Sequence, residues 1–335
     1  MRSIGTSLVL VMCAVTAMSG CDKIRAIKKA AEGAANSQGN AATAQEAADP
    51  DDALSEKLGE YIYCLNYTDK SVSGSRKYYL SWADEKTGPT GKERYVGGVG
   101  SIDSDMCIKS LDKAQAMPPS LPEVQAAATA YKAALLELIP IASTAEKYYK
   151  QNDYKDDKLA KGKQMHAPLM AAFAKFETAD KTFDDLVTRM NEDLGARQLQ
   201  KLAKDPKNRL QYLAKLAMAR SKDLIRLVDI GALKDLDAAK YQAALESVEK
   251  ANTDLESYAT SNKAEVDKIS LFSSYLGDQE EFIKAGKELM RRKRDNKDFN
   301  KESASESSPE SVDGHPAQVI DKYNSMINSS NRLSF

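Results

Sequence analysis

The stretch Tyr148-Tyr149-Lys150-Gln151-Asn152-Asp153-Tyr154-Lys155-Asp156-Asp157, followed by Met165-His166-Ala167-Pro168-Leu169-Met170, brings carboxylates, phenols and an imidazole close together in the chain. Carboxylate and imidazole side chains can share proton-transfer work or hold a cation, provided that they converge in a pocket. Tyr154, Asp156, Asp157 and His166 are therefore the candidate ligand-binding residues. A simpler reading competes with this one. Asp156 or Asp157 can cap a helix, setting negative charge at its positive end, while His166 lies beside a core position at Met165 and bonds a neighbour. One histidine with scattered acids falls short of any hydrolase or zinc pattern, so the structural reading ranks first. No catalytic residue, metal ligand or cofactor is expected. The G-x-S-x-G, H-E-x-x-H, Walker and EF-hand signatures do not occur in the sequence.

The cysteines carry a second chemistry. Met18-Ser19-Gly20-Cys21 ends an uncharged apolar run, Ile4–Met18, that follows Arg2. This run is shorter than the roughly 20 residues that span a bilayer, and it resembles the leader and lipobox of bacterial lipoproteins. The resemblance implies that the Cys21 sulfur is diacylated and that cleavage before it leaves Cys21 as the mature N-terminus. Acyl chains would then be the protein's contact with the membrane, since two or more hold firmly where one does not. Asp22 follows, the residue that keeps enteric lipoproteins in the inner membrane, facing the periplasm. Cys64 and Cys107 are the remaining mature cysteines. They fall on expected helices either side of a loop in an oxidising compartment, so an intramolecular disulfide is expected.

Composition narrows the function classes. The 335 residues hold 48 basic and 49 acidic side chains, a net charge of −1, so charge alone argues for no nucleic-acid partner. Two histidines cannot build a His-rich metal centre. With 42% hydrophobic and 29% charged residues the chain is globular. The one basic run, Arg291-Arg292-Lys293-Arg294, suits a helix C-terminus; anionic lipid or an acidic partner is the alternative use.

The elements that must position these residues are helical. Residues 21–53 are rich in Ala, Gly, Asn, Gln and Ser and read as a flexible tether. Structure begins near Leu54, with Leu58, Tyr61, Ile62 and Leu65 at helical spacing. KTGPTGKERYVGGVG, Lys86–Gly100, has five glycines in fifteen residues and reads as a mobile loop; its GGVG lacks the strand and Lys-Ser/Thr signature of a phosphate cradle. The clearest signal runs from Leu121 to Leu194. Val124, Ala128, Tyr131, Leu135, Leu138, Ala142, Ala145 and Tyr149 alternate spacings of 4 and 3, as do Met165, Leu169, Ala172, Phe176, Ala179, Phe183, Leu186 and Met190. Such seams invite a partner helix, and a short polar turn between them folds the two back as an antiparallel pair. Pro140 should kink the first. Further amphipathic helices follow Pro206, one ending at Gly231, one capped by Asp237, and a last from Gln279 to Arg294. Residues 295–316 are polar and Ser- and Glu-rich and read as disordered, with His315 solvent-exposed and inert; a short helix, Ala317–Ile327, docks back weakly.

The paired Tyr148-Tyr149, the Tyr-x-Asp-Asp turn and the downstream His-x-Pro-Leu, together with the lipobox, resemble the YiiG-like family of bacterial lipoproteins. The resemblance covers roughly Leu54–Leu276. It implies an envelope-anchored helical domain without an assigned activity and carries no catalytic residue over to this chain.

The expectation is thus an all-α, elongated antiparallel bundle of coiled-coil hairpins: a signal peptide at 1–20, a lipidated tether at 21–53, a helical bundle at 54–294 and a polar tail at 295–335. It is expected to be a periplasm-facing, lipid-anchored envelope protein that is not an enzyme and that binds an envelope protein partner or maintains the envelope. The alternative is a small-ligand or metal-binding domain with its site near Asp156, Asp157 and His166.

Overall fold

The computed structural model describes residues 49–229, 233–297 and 309–335. Cys21, the leader, most of the tether and Gly231 lie outside the described residues. Those that are described form an all-α protein, with no β-strand among them and one isolated bridge, Asp84 to Gly88. Among them, no helix is long and apolar enough to cross a membrane. The chain divides into two compact units, one spanning Ala44–Gly195 and one built on Ala196–Phe335.

The first unit holds α1 (Pro50–Leu80), α2 (Asp105–Ala116), α3 (Pro122–Lys150), a short α4 (Tyr154–Asp157) and α5 (Ala160–Ala203), of which α5 extends past Gly195. α1 starts four residues before Leu54, because Asp49 caps it by accepting a bond from Asp51 N and Pro50 stands in the first turn. Each member of the α3 seam, Val124 to Tyr149, is buried, and α3 runs as one helix through Pro140. α5 departs from the strict heptad. Leu169, Ala172, Phe176, Phe183 and Leu186 are buried, but Met165, Ala179 and Met190 are only half-buried, while His166, Phe173 and Val187 are inside. Its buried face follows the 3.6-residue period of a straight helix, so it drifts off a 3.5-residue stripe.

Pairing across the unit sets its directions. Tyr131 packs on Phe176 and Phe183, Lys175 pairs with Glu137, and Arg189 lies 3.8 Å from Glu123, so α3 and α5 are antiparallel. Tyr61 meets Phe183 edge-on, whereas Tyr79 further along α1 meets His166; α1 is antiparallel to α5 as well. α2 lies along α1, with the sulfurs of Cys64 and Cys107 at disulfide distance, 2.01 Å. Buried Lys57 donates to the carbonyls of Met117 and Pro119 at 2.9 and 2.8 Å, anchoring the end of α2 to α1. Burial holds the Lys57 amine below its ordinary pKa.

The second unit holds α6 (Arg209–Ile225), α7 (Ala238–Ser261), α8 (Lys263–Val266), α9 (Phe272–Arg294) and α10 (Pro316–Ser330). Asp237 caps α7 by accepting from Lys240 N. Leu213, Ala217, Leu224, Tyr241, Val248, Leu255, Tyr275, Phe282 and Leu289 form one core with Val319, Tyr323, Met326 and Ile327 of α10. Two buried phenols are satisfied by backbone: Tyr241 donates to Gly286 O at 3.2 Å and Tyr275 to Ala214 O at 3.1 Å.

The polar tail therefore needs correcting over its described part. α10 supplies core residues to the unit rather than docking weakly, and Tyr323 packs 5.5 Å from Phe282. His315 is not exposed. It is buried, and its Nδ1 accepts from Ala317 N at 3.0 Å as the cap of α10. Composition hid this because the apolar residues at 319, 323 and 326 follow a long polar run.

Candidate functional site

The reversal between α3 and α5 passes through the left-handed region at Asn152 (φ 61°), a residue type that adopts it readily, and at Lys158 (φ 55°) and Leu159 (φ 67°), which do not. Asp157 stabilises it, accepting from the Tyr148 hydroxyl at 2.7 Å and from Lys161 N at 3.0 Å. The Tyr148 bond is the leading reason that the Asp157 carboxyl sits below the usual carboxylate range. Asp156 is exposed, and the half-buried Tyr154 bonds Asn152 Oδ1 at 3.1 Å.

His166 lies apart from these acids in function. Its Nδ1 is 2.9 Å from the Tyr79 hydroxyl and its Nε2 3.2 Å from the Glu85 carbonyl oxygen. A carbonyl can only accept, so Nε2 carries the proton, and Nδ1 accepts from Tyr79. Both nitrogens are engaged. Tyr79, Trp82, Tyr148, Tyr149 and His166 form a continuous aromatic cluster, with ring centroids 4.9 to 6.2 Å apart. Burial pushes the Tyr79 phenol up to about 12 and the Tyr149 phenol higher still. The four predicted residues thus stand around one reversal, where three of them cap, turn or pack.

The glycine-rich segment covers this cluster, contrary to the mobile loop expected. Trp82 Nε1 donates to Gly98 O at 3.0 Å and Ser75 Oγ to Gly100 O at 2.7 Å. Asp84 accepts from Lys86 N and Thr87 N, and Glu93 from Thr90 and Gly91, which pins both turns. At Gly88, φ is +70° and a β-carbon would stand 2.5 Å from His166 Cγ, so both the backbone and the histidine demand glycine there.

A polar group that sequence reasoning did not single out lies deeper in the same unit. Asp69 of α1 and Asp180 of α5 bring their carboxyl groups within hydrogen-bonding reach of one another. Two carboxyl groups make such a bond only when a proton stands between them. Burial raises both pKa values, and the neighbouring Asp69 charge adds to the rise at Asp180, up to about 9. Tyr131 of α3 and Thr68 of α1, both fully buried, complete the group. The Tyr131 hydroxyl approaches Thr68, and burial, helped by the field of both acids, holds it well above its ordinary pKa. Its direction is set by packing, since its ring is 5.1 Å from Phe176 and 5.3 Å from Phe183, the residues flanking Asp180 on α5. Asp69 Oδ1, Asp180 Oδ1, Tyr131 Oη and Thr68 Oγ1 are all buried without a well-formed hydrogen bond. Two turns along α1, Arg76 pairs with Glu85 and, at 3.1 Å, with Glu177. Among the described residues, no group of three or more His, Cys, Asp or Glu is placed to hold a metal ion.

A family model described as a protein of unknown function (DUF3829) matches residues 52–332, which takes in every described helix except the first two residues of α1. The chain is 27% identical over 298 residues to the uncharacterized protein YiiG of Escherichia coli strain K12, covering 87% of this chain and 82% of that protein. No solved structure matches.

Proposed function

Because this chain belongs to the DUF3829 family of proteins of unknown function, we propose a role that rests on its own residues: a lipid-anchored protein of the cell envelope that binds a protein partner and is not an enzyme. The observation that carries this reading is the Cys64–Cys107 pair at disulfide distance. Such pairs persist outside the cytosol, where thiols are not kept reduced. The sequence ahead of Cys21 supports the same compartment, with Arg2, an uncharged apolar run and Met18-Ser19-Gly20 before the cysteine. Acyl chains on Cys21 would hold the folded units at a membrane surface, and Asp22 would favour the inner membrane under the enteric sorting rule. In support of a binding rather than a catalytic role, the imidazole that could act as a base has both nitrogens engaged, and Asp157 is committed to the helix reversal.

Photo-crosslinking in intact cells tests this reading, with the full-length protein carrying a crosslinker at exposed positions on either unit. One discrete adduct that Cys21→Ala weakens, as the protein leaves the membrane fraction, is the expected result. Absence of any specific adduct, or an adduct and fractionation unchanged by Cys21→Ala, contradicts it.

A further inference from the structure

The Asp69–Asp180 group is more than a structural bond. A buried polar atom left without a partner costs on the order of 1–3 kcal/mol, and four such oxygens belong to this interacting group: Asp69 Oδ1, Asp180 Oδ1, Tyr131 Oη and Thr68 Oγ1. Tyr131 and Thr68 are fully buried, so bulk water does not satisfy them. Asp69 and Asp180 are half-buried, which leaves a way in from the surface. The surrounding charge is negative: Glu177 and Asp184 also act on Asp180, and the nearby cation, Arg76, is committed to Glu85 and Glu177.

We propose that Asp69, Asp180, Tyr131 and Thr68 form a binding site for a hard divalent cation of the Ca2+ class. All four donors are oxygens, two of them carboxylates, and hard cations select such sets over imidazole or thiolate. Ca2+ suits the position better than Mg2+, because it accepts irregular geometry and sheds its water more readily. The cation takes the place of the proton that the two carboxyl groups otherwise share. One ion joins α1, α3 and α5 at mid-length, where a proton joins only α1 and α5.

The full chain, purified from membranes in detergent and stripped with chelator, supports two readouts. Tb3+ emission excited through tyrosine reports an ion beside Tyr131, and thermal unfolding reports Ca2+ binding. We expect Ca2+ at millimolar concentration to raise the Tm by about 4 °C or more and to quench the Tb3+ signal by competition. Tyr131→Phe should remove most of the sensitised emission, and Asp180→Asn should remove both responses. Should Asp180→Asn fail to fold, Thr68→Val keeps the shape and deletes one donor, and Ca2+ affinity should fall about tenfold. No Ca2+-dependent Tm rise in the native chain overturns the proposal. So does a rise of equal size in Asp180→Asn, affinity unchanged by Thr68→Val, or emission unchanged by Tyr131→Phe, which would place the ion at a surface tyrosine instead.

Discussion

Asp69 on α1 and Asp180 on α5 bring their carboxyl groups together inside the first unit, where burial raises the pKa of both, at positions where both helices otherwise present apolar side chains. The surrounding layer is aromatic, with Tyr131, Phe176 and Phe183 packed against one another.

Raised carboxyl pKa values make stability depend on pH in a direction opposite to ordinary acid denaturation. In chelator, the folded pair holds a proton that an unfolded aspartate releases above its usual range. Between that range and about pH 9 the native state therefore binds more protons, and stability falls as pH rises. The groups facing Asp180 are Asp69 from α1, Tyr131 from α3, and Glu177 and Asp184 from α5, with Arg76 the nearby cation. Urea unfolding of the native chain at pH 5.5 and pH 8.5 should show the loss. In Asp180→Asn, which cannot titrate, the difference between the two pH values should shrink markedly.

The bridge between Cys64 and Cys107 spans 43 residues of sequence. Restricting a loop of that size in the unfolded chain is worth about 4 kcal/mol in the chain-entropy description. Replacing both cysteines by serine should lower stability by about that amount, read as a shift in the urea midpoint. Non-reducing gels should show faster migration of the native chain that reductant abolishes.

His166 and Gly88 are coupled by contact. Gly88→Ala combines a positive φ with a β-carbon 2.5 Å from His166 Cγ, and should cost about 2 kcal/mol or more. His166→Phe keeps a ring in place but leaves the buried Tyr79 hydroxyl without its acceptor, at a cost of about 1–3 kcal/mol. Because the two residues touch, the double variant should lose less than the summed single losses, which a double-mutant cycle measures directly.

α10 belongs to the second unit's core. Tyr323 is 5% exposed and packs against Phe282, so Tyr323→Ala should cost about 3–5 kcal/mol by opening a cavity. Limited proteolysis should then cut within α10 far sooner than in the native chain.

Much of this was legible in the sequence, element by element. The α3 seam was, because eight apolar residues in regular alternation leave a helix one face to bury. α5 was legible as a helix but misread by one position in places, since Phe173 and Val187 sit beside heptad members and are equally apolar; only the partner helices decide which turns inward. The acid pair left a signal that went unused. Asp69 stands four residues after Leu65 and three before Val72, and Asp180 four after Phe176 and three before Phe183. Each carboxylate occupies a core-spaced position, yet one helix read alone cannot reveal that its buried acid faces another. The covering loop was misjudged for a different reason. Glycine content forecasts freedom, whereas the turns are held by Asp84, Glu93 and the Trp82 indole.

The central functional claim stands on Cys21. Intact mass of the protein purified from the membranes of its own host, with sequencing of its first peptide, tests it most directly. The expected result is a chain beginning at Cys21 and carrying the added mass of a diacylglyceryl group on sulfur. A chain that still begins at Met1, or one cut elsewhere with an unmodified N-terminus, would contradict it.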